Sequence, residues 1–418
     1  MKILSKVFMY SISSVSCIMA YTDIQFFRAT PLINEPRLER PWLTSVDIAI
    51  GHGTTRKSFN SDHEKVPLFD VWGTSNMQQL GAGINLDAQN PLDQILLQLQ
   101  ALPSQGTFGT FSTLARFKLT EYSFTLTQNF SRGLFAQIYL PVRSYSVSGV
   151  QFVDLSSDDQ STLNKLNPVW LTFLSNFNAI LHRYSINTDP VNQTGVGDLV
   201  LLGGWTYSYQ DTQELDFIDT TLQAGFVVPT AKAKDQNKLF EIPLGYNKHL
   251  GFPLRALVAF GAYDWLTIGG SLQTVIFAAK KEDVRLPTSL QQKGLINLAT
   301  VPAKTRPGTI WVMQTFIKAD HFVRGLSLGA GYTYATQQRT DVTPLTQQTT
   351  VAIIKNSPQF AGFAQHTFHT YIEYDFTQQD WKYGPRIGLA YNKILSGKRV
   401  FKTDMLQGTF GLEIVWDY

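Results

Sequence analysis

The sequence predicts an all-β fold, a transmembrane antiparallel β-barrel of about 12 strands with long extracellular loops. Three observations carry this. Apolar and polar residues alternate over a dozen segments, long and short connections alternate between them, and the chain ends on GTFGLEIVWDY (408–418). In that stretch Phe410, Leu412, Ile414, Trp416 and Tyr418 share one parity, and Thr409, Gly411, Glu413, Val415 and Asp417 the other. Period two marks a strand with one oily face and one polar face.

The first residues, MKILSKVFMYSISSVSCIMA, place Lys2 and Lys6 before an apolar stretch from Val7 and close at Ala20. That is the layout of a secretory signal peptide, cleaved near Tyr21. A buried N-terminal helix is the bland alternative. A lipoprotein anchored at Cys17 is another, although Ser14 begins the required box poorly. The expected organisation is a signal at 1–20, an N-terminal periplasmic segment at 21–41 and a barrel over 42–418. Cys17 is the single cysteine, so the mature chain would hold no disulfide and no thiol metal ligand. The formal charge of +3 falls to +1 once Lys2 and Lys6 are removed, and nothing in it points to nucleic acid. Charged residues make up 16% of the chain against about 25% in ordinary globular domains, while aromatics reach 13%. No mature stretch reaches the roughly 18 consecutive apolar residues of a membrane-spanning helix. An exported chain of this kind is a barrel or, as the competing reading, a secreted soluble β-sandwich.

Strands are expected near 42–54, 112–128, 133–147, 196–209, 216–229, 252–263, 265–279, 308–319, 325–338, 363–377, 384–394 and 403–418. Each supplies the roughly 9–11 residues that a tilted strand needs to cross a bilayer. One parity is oily, as in Leu134, Ala136, Ile138, Leu140 and Val142, or Phe368, Ile372, Tyr374 and Phe376. Leu119 and Glu121 share a parity, which predicts a bulge near Thr120. Tight connections at 129–133, 207–216, 262–265, 319–325 and 377–384 alternate with long ones at 55–111, 148–195, 230–251, 280–307 and 339–362, and a shorter loop lies at 396–400. Outer-membrane barrels collect their long loops on one side in this way, whereas a sandwich has no reason to. Aromatics cluster where strands meet the tight turns: Tyr207, Tyr209, Tyr263, Trp265, Phe322, Phe376, Trp381, Trp416 and Tyr418.

The inward parity contains Asp47, Glu121, Arg143, Asp198, Asp219, Arg255, Lys318, Glu373, Asp375, Arg386 and Glu413. Mixed signs predict a polar, cross-braced lumen without strong ion selectivity. Of these, Arg143, Asp198, Arg255, Lys318, Glu373, Asp375, Arg386 and Glu413 are the candidate pore-lining residues, and Asp375 should lie opposite Arg386 in an ion pair, with Asp417 nearby. Two loop segments read as helices. PLDQILLQLQAL (91–102) aligns Leu92, Ile95, Leu96 and Leu99; NPVWLTFLSNFNAIL (167–181) has Asn167 as cap, Pro168 at the first position and a stripe of Trp170, Phe173, Leu174, Phe177 and Leu181. Trp170, Phe173 and Phe177 are the candidates for a loop gate or ligand contact, with simple loop packing as the alternative. Lys232, Lys234 and Lys238 read as a solvated rim, or as contacts for surface sugars or phosphates.

No catalytic residue, metal site or cofactor is expected. His366 and His369 have no serine beside them, His182 and Ser185 share a loop, and no phosphate-binding loop or metal spacing is present.

The final strand resembles the C-terminal β-signal that the barrel-assembly machinery reads in outer-membrane proteins of Gram-negative bacteria, with Tyr418 in place of the commoner Phe. GVGDLVLLGGWTYSY (195–209) and AGFVVPT (224–230) are similar to a hairpin of barrels from the meta-pathway of phenol degradation. There Gly-x-Gly-Asp opens one strand and Pro-Thr closes the next, as Gly195, Gly197, Asp198, Pro229 and Thr230 do here, although Ala231 departs from the usual Gly. The resemblance implies passage of small, including apolar, compounds. The function expected is a passive channel or uptake pore for small solutes. The alternative is a non-conducting structural or surface-interaction barrel with a loop-plugged lumen. An outer-membrane hydrolase, the third class, lacks any nameable nucleophile–base pair. Expected partners are outer-membrane lipid, the assembly machinery and a small solute.

Overall fold

A computed structural model describes residues 24–32, 41–159, 163–210, 215–263, 265–323, 325–376 and 383–416. The barrel strands are β1 (Leu43–Thr55), β2 (Thr110–Asn129), β3 (Leu134–Asp154), β4 (Leu199–Gln210), β5 (Phe217–Val228) and β6 (Gly251–Ala262). They continue with β7 (Leu266–Phe277), β8 (Ile310–Val323), β9 (Leu326–Gln337), β10 (Ala364–Asp375), β11 (Tyr383–Lys398) and β12 (Met405–Val415). Each pairs antiparallel with its neighbours in sequence. β1 pairs with β12 from Leu43↔Val415 to Gly53↔Met405, so the sheet closes on itself. Closure removes every sheet edge, which a bilayer requires and a sandwich does not provide.

Side-chain alternation follows the expected faces. Val46, Ile50, Phe124, Ile138, Leu201, Leu222, Leu254, Ile268, Ile317, Phe368, Ile387 and Phe410 stand exposed on the outside. A continuous exposed apolar band around a closed barrel is stable only against lipid. Aromatics ring the short-turn end, with Trp42, Phe130, Tyr207, Tyr209, Tyr263, Trp265, Phe322, Phe376, Tyr383 and Trp416 all exposed. Trp381, Asp417 and Tyr418 lie outside the described residues, as do Cys17 and the expected signal. The turn at 129–133 is tight because glycine allows it. Gly133 has φ +77°, and a Cβ there would sit 2.0 Å from the Thr206 carbonyl oxygen.

The bulge expected near Thr120 is absent. Leu119↔Tyr145, Thr120↔Ser144 and Glu121↔Arg143 pair without interruption, and the register shift lies higher, between Leu114 and Arg116. Leu119 faces inward like Glu121 because β2 and β3, at 20 and 21 residues, run well past the membrane into an apolar cluster. Parity stays regular while the inward environment changes from polar to oily along the strand.

That cluster is a roof built from the long loops. Helix α1 (Pro91–Ala101) starts on Asn90, whose side chain accepts from the Leu92 and Asp93 amides. Helix α2 (Pro168–Arg183) starts on Asn167 in the same way. The Arg183 guanidinium forks onto Asp93 at 2.8 and 2.9 Å, pinning the end of α2 to the start of α1, and holds the Asp93 carboxyl below its ordinary range. Trp170, Phe173 and Phe177 are buried among Phe108, Phe111 and Phe152. These three side chains, candidates for a gate or ligand contact, sit in loop packing.

Residues 24–32 lie inside the barrel. Ile24, Phe27, Arg28, Ala29, Thr30, Pro31 and Leu32 are all buried. This corrects the expectation of a periplasmic segment for that part of 21–41. The physical reason is composition: IQFFRATPL offers four large apolar groups and one cation, and the lumen offers an apolar roof and a carboxylate to receive them.

Candidate functional site: the barrel lumen and its plug

Near the short-turn end, Arg386 on β11 pairs with Glu413 on β12 at 2.9 Å and with Asp47 on β1, and donates to Ser45 at 3.1 Å. Gly411 lies directly across from both Asp47 and Arg386. A Cβ at Gly411 would come within 2.3 Å of Arg386 Nε and 2.5 Å of Asp47 Oδ1, so the glycine makes room for the guanidinium. The expected register of Asp375 opposite Arg386 is present, but the guanidinium reaches to the other side, towards the last and first strands.

The middle of the lumen binds the N-terminal segment. Glu121 pairs with Arg143 at 2.6 Å and with Arg28 of the segment at 3.3 Å. Arg143 also lies over the Phe27 ring, 5.8 Å from its centroid, and donates to the Leu244 carbonyl. Gln365 accepts from the Thr30 amide at 2.8 Å and donates to the Arg28 carbonyl at 2.8 Å. Gln314 donates to the Pro31 carbonyl at 2.9 Å and to Thr333 at 2.8 Å. Thr333 continues to His369, and His369 to Asn392, each at 2.7 Å. His369 thus belongs to a hydrogen-bonded ladder that positions the plug. Leu32 packs with Leu257, Ala259, Phe316, Tyr371 and Ala390, while Phe26 and Phe27 join Trp72, Phe117 and Phe401 in the roof.

The other candidate lumen residues are inward-facing too. Arg255 donates to Gln223 at 3.2 Å, Lys318 pairs with Asp320 at 2.8 Å, and Glu373 and Asp375 are buried. Asp198 does something more specific than line a pore. Its carboxylate accepts from the Tyr246 amide at 2.6 Å and the Ala231 amide at 3.0 Å, folding the loop after β5 inward. Thr230 Oγ1 donates to the Gly197 carbonyl at 2.7 Å and accepts from the Leu199 amide at 2.9 Å. The Gly-Asp that opens β4 and the Pro-Thr that closes β5 therefore meet in one hydrogen-bonded node. Gly197 is required there, since a Cβ would lie 2.6 Å from Pro141.

Inward side chains at successive levels are almost wholly covered: Gln137 is 3% exposed, Gln273 1%, Thr333 0% and Glu373 1%. A wide aqueous pore would leave such groups wet, so the lumen is closed in this conformation. The plug residues escaped the sequence reading because nine residues show no periodicity. The remaining signal was the pair Phe26 and Phe27 beside Arg28 in a segment expected to be solvated.

Closure and the exposed apolar band together define a membrane-spanning β-barrel of the outer-membrane type. No protein-family model and no curated protein matches the chain. Among solved structures, it is similar to an outer-membrane channel from Pseudomonas putida F1, at 12% identity and TM-score 0.49, covering 94% of this chain and 100% of that one. It is also similar to the toluene transporter TbuX of Ralstonia pickettii, at 10% identity and TM-score 0.33, covering 91% and 90%. A third is the translocator domain of the autotransporter NalP from Neisseria meningitidis, at 8% identity and TM-score 0.38, covering 90% and 88%. At such identities and TM-scores these likenesses say nothing about what passes through this chain, and the barrel rests on its own strand pairing.

Proposed function

We propose that this protein is an outer-membrane uptake channel for small solutes, apolar ones among them, held closed at rest by its own N-terminal segment. The observation that carries this reading is the nature of the filling. Strand side chains alone fill a barrel of about eight strands, and wider barrels hold space for something else. Here that space holds a strip of chain, residues 24–32, attached through Arg28, Thr30 and Pro31 by groups that can exchange with water. A filling of this kind is removable, whereas a core of strand side chains is not. The similarity of 195–230 to barrels of the phenol meta-pathway agrees with a small apolar solute, and so does a roof rich in Phe and Trp. The closed lumen also favours the second reading, a barrel that never conducts and works through its loops.

Single-channel recording separates the two. The full chain in planar bilayers should show negligible conductance, and a variant lacking residues 24–32 should show discrete openings. A variant that stays silent, even with 55–111 and 148–195 also shortened, would rule out the channel.

A further inference from the structure

Against the plug lies a cavity of about 300 Å³ whose apolar lining includes Phe26, Trp72, Leu239, Leu295 and Phe360. Its volume is at the small end for ligand pockets. Lys234, Lys238, Arg285, His249 and Glu282 also line it.

The charges are unbalanced. Glu282 is already saturated: Lys280 lies 2.9 Å away, Asn247 donates at 2.8 Å, Thr305 donates to it, and His249 is 3.4 Å away. Lys238 is 4.0 Å from Glu241. Among the described residues no carboxylate lies within ion-pair distance of Lys234 or Arg285. Burial pushes the Lys234 ammonium below its ordinary range, while Glu241, beyond ion-pair distance, acts in the opposite direction. Arg285 is held by carbonyls only: Nε donates to Gln236 at 2.7 Å, Nη1 to Leu298 at 2.8 Å and Nη2 to Tyr184 at 2.9 Å. It supplies charge but no free fork, which disfavours a phosphate. Lys234 supplies a compact cation with donors to spare.

We propose that this cavity binds a small monocarboxylate with an apolar body, its carboxylate on Lys234 within the field of Arg285 and its body against Phe26, Trp72 and Phe360. This deepens the uptake reading and rests on it, because Gln25 and Phe26 of the plug form part of the wall. An occupant touches the segment that closes the lumen. The rim expected from Lys232, Lys234 and Lys238 is thereby divided. Lys232 is exposed, Lys238 stands at the cavity edge, and Lys234 points in.

The test is equilibrium binding to the full chain in detergent, with 4-phenylbutyrate as probe and 4-phenylbutanol as its uncharged counterpart. The acid should bind at one site and the alcohol at least tenfold more weakly. Lys234→Met should weaken the acid at least tenfold and leave the alcohol unchanged, Lys234→Arg should retain most of the affinity, and Lys232→Met should match the parent. Equal binding of acid and alcohol, undiminished acid binding by Lys234→Met, or no acid binding at all would overturn the proposal. Conductance is a separate readout, so failure here leaves the channel reading to its own experiment.

Discussion

At the scale of single residues the lumen is governed by charges withdrawn from water. Arg386 is buried between Asp47 and Glu413 on three adjoining strands, a geometry that Gly411 permits. A buried ion cluster adds little over well-packed apolar groups, but removing one partner strands the others. Arg386→Leu should therefore destabilise the folded barrel by about 3–5 kcal/mol, since two carboxylates remain without their cation. Urea unfolding of the protein refolded in lipid vesicles measures this. A loss under about 1 kcal/mol would mean that water reaches the site and screens the cluster. Asp198 shows the same chemistry used for shape, its two backbone hydrogen bonds fixing the loop after β5 at Ala231 and Tyr246.

Secondary-structure elements follow a period-two logic that the lipid reads directly. On β12, Phe410, Leu412, Ile414 and Trp416 face outward, while Gln407, Thr409 and Glu413 face the lumen. Phe410 is near the middle of the strand and Ile414 near its aromatic-ringed end. Phe410→Arg should cost about 2–4 kcal/mol, Ile414→Arg about 0–1, and Val415→Arg on the inward parity little, because the penalty falls with distance from the bilayer midplane. Equal costs at Phe410 and Val415 in the same unfolding assay would show that the face assignment is wrong. In the roof, Lys280–Arg285, Thr300–Arg306 and Asp341–Pro344 form a small loop sheet. Burial alone would raise the Glu282 carboxyl, yet donors from His249, Thr305 and Lys280 outweigh it and hold it at about 2, below its ordinary 4.5. A carboxyl depressed on folding contributes stability that is complete above its unfolded value and disappears as pH falls through the folded one. The loop sheet should thus loosen between about pH 4.5 and pH 2. Hydrogen exchange at 280–306 should rise across that window in the parent and far less in Glu282→Gln, and equal profiles would refute the assignment.

For the molecule as a whole, closure and plugging are separate acts. Closure runs through β1 and β12, and the plug meets the inner wall and the loop roof without pairing into the barrel sheet. The variant lacking residues 24–32 should therefore still show the heat-modifiable gel migration of a folded barrel while gaining conductance. Loss of the heat-modifiable form would mean that the segment is needed to assemble the barrel, and its role as a plug would fall.

Much of this architecture was legible residue by residue. The twelve strands, the alternation of loop lengths, the Asn167 helix cap and the inward charges from Asp47 to Glu413 appear in the sequence because each depends on local spacing. The bilayer imposes a fixed period and length on every strand, and a repeated constraint leaves a repeated signal. The tertiary structure alone decided three other matters. It placed Leu119 in an oily upper lumen, where parity cannot tell a polar neighbourhood from an apolar one. It set Trp170, Phe173 and Phe177 into the roof, because an amphipathic stripe specifies an apolar partner without saying which. It also drew residues 24–32 into the barrel, through contacts between residues far apart in the sequence, such as Arg28–Glu121 and Thr30–Gln365. Pairings at such separation leave no period in the sequence, since they are fixed by the space that a closed sheet encloses.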